Sequence, residues 1–105
     1  MPNQIPIQDI HVSLTLTSPN TSSKVLARAT VVISEVFEMH GFTLQTSLHI
    51  HKKFQEAIYI QPPRVRVGDR WCHIIFCRDK KLWEEIEEKI YNEYCVLRDR
   101  YRKGV

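Results

Sequence analysis

At Asp79 the spacing of apolar residues changes, and that change limits what this chain can become. Before it the period is two, which is that of a strand with one buried face. In residues 10–17, IHVSLTLT, Ile10, Val12, Leu14 and Leu16 share one parity, and His11, Ser13, Thr15 and Thr17 the other. Residues 18–23, SPNTSS, are turn formers and predict a hairpin. A second strand is predicted over 24–36, with Val25, Ala27, Ala29, Val31 and Ile33 on one face. Leu26 and Val32 on the opposite parity predict that it is central and covered on both sides. A third strand follows Gly41. Phe42, Leu44, Leu48 and Ile50 alternate there with Thr43, Gln45, Ser47, His49, His51 and Lys53. Residues 57–61 and 70–77 read as two short strands joined by a proline-arginine loop. The second, RWCHIIFC, is apolar on both parities, which predicts burial on both faces.

After Asp79 the period is that of a helix. Leu82, Ile86, Ile90, Tyr94, Leu97 and Tyr101 fall three or four apart, and Trp83 and Tyr91 widen the stripe. Asp79 suits an N-cap. Glu84, Glu85, Glu87 and Glu88 in the first half, with Arg98, Arg100, Arg102 and Lys103 in the last, complement the helix dipole. The fold class this implies is α+β: a mostly antiparallel sheet of about five strands followed by one long C-terminal helix. One helix covers one sheet face, so a second copy is expected on the other, giving a homodimer.

The 105 residues suit a single domain, 1–105, and 43% apolar with 26% charged residues is an ordinary globular balance. The opening MPNQIPIQDI has no basic stretch before an apolar one, and no apolar run approaches a membrane span. With three cysteines, Cys72, Cys77 and Cys95, an odd number, a reducing cytoplasmic setting without a membrane role is expected.

Net charge is only +3, but it is segregated. Residues 52–81 hold Lys52, Lys53, Arg64, Arg66, Arg70, Arg78, Lys80 and Lys81 against Glu56, Asp69 and Asp79, a local charge of +5. Residues 82–97 carry −4 and residues 98–105 carry +3. In Arg64-Val65-Arg66-Val67 an extended backbone sends both guanidinium groups to one side. Trp71 and Tyr59 stand near for stacking. Arginine matches phosphate bidentately, and aromatic rings accept unstacked bases, so this region is the candidate nucleic-acid surface. Its candidate contacts are Arg64, Arg66, Arg70, Lys80, Lys81, Lys52 and Lys53.

Other chemistry finds less support. His49 and His51 on one strand face have a spacing that zinc sites use, but no second close ligand pair accompanies them, and four ligands are the norm. A solvent-facing strand is the simpler reading, and no metal or other cofactor is expected. For a cysteine nucleophile, Cys77 reaches His73 only diagonally, with no flanking glycine. The acids lie on the helix rather than in a cluster. No enzymatic activity or small-molecule substrate is expected.

Phe37-Glu38-Met39-His40-Gly41-Phe42-Thr43-Leu44 resembles the Phe-Val-Val-His-x-Ile-x-Val segment of the stage V sporulation protein G (SpoVG) septation-regulator family. Ala57-Ile58-Tyr59-Ile60-Gln61-Pro62-Pro63-Arg64 is similar to its Gly-Leu-Phe-Val-x-Met-Pro-Ser block. The likeness continues through Trp71, Ile74, Ile86, Ile90, Asn92, Glu93 and Tyr94, and includes the preceding strand at Ala27-Arg28-Ala29. It spans most of residues 8–94. The chain departs from the family in the longer segment 46–56, in Phe76-Cys77 for a His-Pro, in Trp83 for a basic residue and in Gln61 for a methionine. The resemblance implies a small dimeric regulator of septation or sporulation that binds DNA or RNA without catalysis. It implies binding through basic residues at Arg64, Arg66, Arg70, Lys80 and Lys81. The alternative from another class is a protein-interaction or oligomeric scaffold.

Overall fold

The computed structural model describes residues 9–17 and 24–103; the hairpin turn expected at 18–23 lies outside the described residues. Strands β1 (Ile10–Leu16), β2 (Val25–Ile33), β3 (Phe37–Thr46) and β4 (Ile58–Gln61) form one antiparallel sheet in the order β1-β2-β3-β4. A separate two-stranded ribbon comes next, β5 (Arg64–Val67) with β6 (Arg70–His73), and then helix α1 (Lys80–Lys103). This is the expected α+β class.

The alternation in the sequence sets the sheet register. Ile10 pairs with Ile33, Val12 with Val31, and Leu14 with Ala29. Directly opposed residues share a face, so the apolar parities of β1 and β2 coincide. Phe42 opposite Ala29 and Ile60 opposite Leu44 continue that face. Ile86, Ile90 and Tyr94 of α1 close over it, and the core is fully buried at Ile10, Ala27, Val31 and Ile90. Each large apolar side chain buried there contributes about 1.5–3 kcal/mol of transfer free energy. The helix lies mainly along β1. Its start is tied to β3 by Trp83, whose ring stacks on Phe42 at 6.3 Å. As expected, Asp79 caps it: Leu82 N donates to Asp79 Oδ1 at 3.1 Å. The Tyr101 side chain lies outside the described part.

The opposite sheet face carries His11, Ser13 and Thr15 beside Arg28, Thr43 and Gln45. Strand β2 is central, as predicted, but it is not covered on both sides: Arg28 is exposed, and Leu26 and Val32 are only half-buried. A face this polar meets water without a cover, as antiparallel sheets commonly do.

Three strand limits differ from expectation. Strand β2 stops at Ile33 rather than at residue 36, because Ser34 and Glu35 turn with φ of 54° and 55°. Strand β3 starts four residues before Gly41 and stops at Thr46. Leu48 (99% exposed) and Ile50 therefore lie outside the sheet, despite sharing the parity of Phe42 and Leu44. The third difference shapes the functional surface. Pro62 and Pro63 have no N–H for a ladder, so β4 cannot run on, and Arg64–Val67 becomes a strand of its own. Its partner β6 ends at His73. Ile74 and Phe76, expected inside a strand buried on both faces, are 62% and 61% exposed.

The ribbon is anchored at its base. Ile74 N donates to Pro63 O at 2.9 Å. In β3, His40 and Gly41 together oppose the single residue Thr30, a bulge that gives Gly41 a φ of +100°. A Cβ on Gly41 would stand 3.3 Å from Pro63 Cβ, so the missing side chain lets the ribbon base sit against β3.

Candidate nucleic-acid interface

The ribbon turns at Gly68-Asp69, with Gly68 at φ +65°, the geometry of a two-residue hairpin with glycine first. That turn fixes the pairs Arg64 with His73, Val65 with Cys72, Arg66 with Trp71 and Val67 with Arg70. One face of the ribbon therefore carries Arg64, Arg66, Trp71 and His73. The other carries Val65, Val67, Cys72 and Arg70. The three arginines expected to act together are thus divided: Arg70 belongs to the valine face.

Both guanidinium groups of the first face gather on Trp71. Arg64 Cζ lies 4.5 Å from the ring centroid and Arg66 Cζ 5.9 Å. The indole quadrupole holds them electrostatically without using up their N–H donors. Arg66 Nε donates to Gly68 O at 3.1 Å, which fixes that side chain over the turn. Among the described residues neither Arg64, Arg66 nor Arg70 forms an ion pair. Every residue of β5 is exposed, and Trp71 is 55% exposed. The aromatic surface continues beyond the strand, where the His73 and Phe76 rings are 5.0 Å apart. Sequence reasoning passed over both as contacts. The signal for His73 was present: once Gly68-Asp69 is a two-residue turn, Arg64 must face His73.

Next to these rings is a cleft of about 220 Å³ between β4, the segment after β6 and the start of α1. Tyr59, His73, Phe76, Trp83 and Glu87 are among its walls. Burial pushes the Glu87 carboxyl above its usual range, against the opposing hydrogen bond with His51.

The remaining candidates stand elsewhere. Lys80 and Lys81 occupy the first exposed turn of α1, which holds no acid of its own. Lys52 and Lys53 lie in the 47–57 loop, which leans on the acidic side of α1. There Lys53 Nζ donates to Glu88 Oε2 at 2.9 Å, and this hydrogen bond raises the lysine's pKa. Its charge is already matched by a carboxylate, unlike that of Arg64.

The same loop accounts for His51. Its Nδ1 accepts from the backbone N–H of Lys53 at 3.2 Å and Phe54 at 3.4 Å, and its Nε2 lies 3.4 Å from Glu87 Oε2. Its ring stacks on Phe54, and Phe54 in turn stacks on Tyr91 at 4.1 Å. His49 is exposed and off the strand, so the two histidines do not share a strand face as the alternation suggested. Among the described residues no three His, Cys, Asp or Glu side chains gather as a metal site requires. No helix among them is long and apolar enough to cross a membrane.

Comparison of the chain with protein-family models, with curated proteins and with solved structures found no match.

Proposed function

We propose that this chain is a non-enzymatic, cytoplasmic regulator that binds nucleic acid as a homodimer through the β5–β6 ribbon. Kinship with the SpoVG septation regulators is part of the same proposal. One observation carries it: Arg64 and Arg66 are gathered on an exposed indole without a carboxylate partner among the described residues. Structural arginines tend to be paired with acids, as Arg98 is with Glu56. A guanidinium held on a ring and left open at its edge suits phosphate, which accepts two parallel hydrogen bonds. Lys80 and Lys81 add positive potential at the helix start without needing to touch the same phosphates.

The test is the double change Arg64→Ala/Arg66→Ala in a binding titration over a salt series. Loss of two phosphate contacts should weaken binding at low salt and make the log–log salt slope shallower, by about 1.4 on a single strand or about 1.8 on a duplex. Lys52→Ala/Lys53→Ala should leave the slope nearly unchanged. Affinity and slope unaltered by the arginine change would remove the ribbon from the interface.

The scaffold reading retains one observation, the exposed Val65, Val67 and Ile74. Nucleic acid that copurifies and is stripped by high salt, lowering the absorbance ratio, separates the two readings. A pure protein spectrum from the first step favours the scaffold.

A further inference from the structure

We infer that the nucleic acid bound by the ribbon is single-stranded, with an unpaired base stacked on Trp71 and a neighbouring base entering the cleft beside Phe76. This rests on the reading above and narrows its ligand. In a duplex the base faces are covered by their neighbours, and only edges and phosphates reach a protein. A surface built for duplex phosphates needs cations and does not require a platform of exposed aromatic rings. Here Trp71 is 55% and Phe76 61% exposed, with His73 5.0 Å from Phe76. Exposed rings of this size offer stacking surface to a flat partner.

The cations and rings are arranged as one unit. Arg64 and Arg66 are two residues apart along β5, about 6.6 Å at 3.3 Å per residue. Both reach the same indole, which stays 55% exposed, so a base resting on the part they leave uncovered would be flanked by phosphates on these arginines. His73, directly opposite Arg64, leads from that platform to Phe76 and into the 220 Å³ cleft. The cleft combines ring walls from Tyr59, Phe76 and Trp83 with acceptors that include the Glu87 carboxyl. That combination suits a flat heterocycle with exocyclic N–H groups. Stacking accepts any base, so sequence preference at Trp71 should be weak and preference in the cleft stronger.

The experiment uses the full chain with a single-stranded oligonucleotide and a duplex of the same sequence. Fluorescence of Trp71 is read in a Trp83→Phe background, and affinities are compared for the intact chain and for Trp71→Ala, with circular dichroism as the check on folding. The expected result is quenching of Trp71 by the single strand. Trp71→Ala should then bind the single strand roughly 5- to 150-fold more weakly. Trp71→Phe should restore most of that affinity, because it restores a ring. Phe76→Ala should weaken single-strand binding and leave the duplex unaffected. A duplex that binds as tightly as the single strand, or Trp71→Ala with unchanged single-strand affinity, overturns the inference and leaves the proposed function standing. Absence of binding to either oligonucleotide overturns both.

Discussion

Glu56 lies near the end of the 47–57 loop. Its carboxylate accepts a hydrogen bond from the Tyr91 hydroxyl, and Arg98 Nη1 donates to both of its oxygens at 3.2 Å. Arg98 also rests 5.1 Å from the Tyr94 ring centroid, so one carboxylate organises a loop, a helix and part of the core edge. Hydrogen bonds to charged groups are worth about 1.5–3 kcal/mol, and partial exposure of this pair lowers the figure. Glu56→Ala should therefore cost about 1–2 kcal/mol and lower the thermal midpoint by roughly 5–10 °C. Glu56→Gln, which keeps an acceptor for Tyr91, should cost less. The Glu56 hydrogen bond, then burial, hold the Tyr91 hydroxyl well above its usual range. The folded pKa is raised, so the stabilisation is fully present below the unfolded value of about 10 and is lost as pH rises above it. Melting at about pH 8 and about pH 11 should show a smaller alkaline loss in Tyr91→Phe than in the parent chain. Residues like Glu56 are invisible to sequence reading because their partners lie 35 and 42 positions away and no periodicity links them. The opposition of Arg66 and Trp71 was legible by contrast, since a two-residue turn at Gly68-Asp69 dictates it.

Among the elements, the ribbon and the sheet should respond differently to the same substitution. Gly41 and Gly68 both have positive φ, at +100° and +65°. A Cβ at Gly68 meets nothing within 4 Å, so Gly68→Ala carries only the backbone penalty, about 1–2 kcal/mol. A two-stranded ribbon is marginal by itself, and that penalty is enough to open it. Hydrogen exchange should then quicken at residues 64–73 while amides of β1–β4 keep their protection, and nucleic-acid affinity should fall with little change in the thermal midpoint. Gly41→Ala adds a contact at 3.3 Å with Pro63 Cβ to a less tolerated φ, in a strand that holds Phe42 and Leu44 of the core. It should cost roughly 1–3 kcal/mol and lower the midpoint of the whole domain. Equal global destabilisation by both changes would mean that ribbon and sheet unfold as one unit. Strand existence was readable from alternation, but strand ends were not. Leu48 and Ile50 keep the parity of β3 after the chain has left the sheet, and parity has no way to record that departure. The Pro62-Pro63 break was visible, but it was read as a loop because Arg64–Val67 has no buried side to mark it as a strand.

For the whole molecule, the change of period at Asp79 was enough to give the class and the order of elements, because each period buries only one face and two such faces must meet. Expecting a second copy came from the same reasoning, but the helix-free sheet face does not call for one. The helix-free sheet face is polar, with His11, Ser13, Thr15 and Arg28, and gains nothing from being covered. The ribbon carries unsatisfied apolar surface, as do Val36-Phe37 and Leu48 with Ile50 elsewhere: Val65 is 47% and Val67 58% exposed, on the face opposite Arg64 and Arg66. Two copies laying these valine faces together about a two-fold axis would bury the valines mutually, with Arg70 on the same face, and turn Arg64 and Arg66 of both outward. Such an arrangement would also support a ribbon too small to be stable alone. The shape-conserving change Val65→Thr/Val67→Thr places hydroxyls in that contact with little effect on a free ribbon surface, where threonine is a good strand former. Sedimentation should show a dimer for the parent chain and a monomer for the variant, with the same circular dichroism. Nucleic-acid affinity should drop as the two ribbons are uncoupled, since paired sites gain from effective concentration. A variant that stays dimeric places the contact elsewhere on the fold, and a monomeric parent chain removes the homodimer from the proposed function.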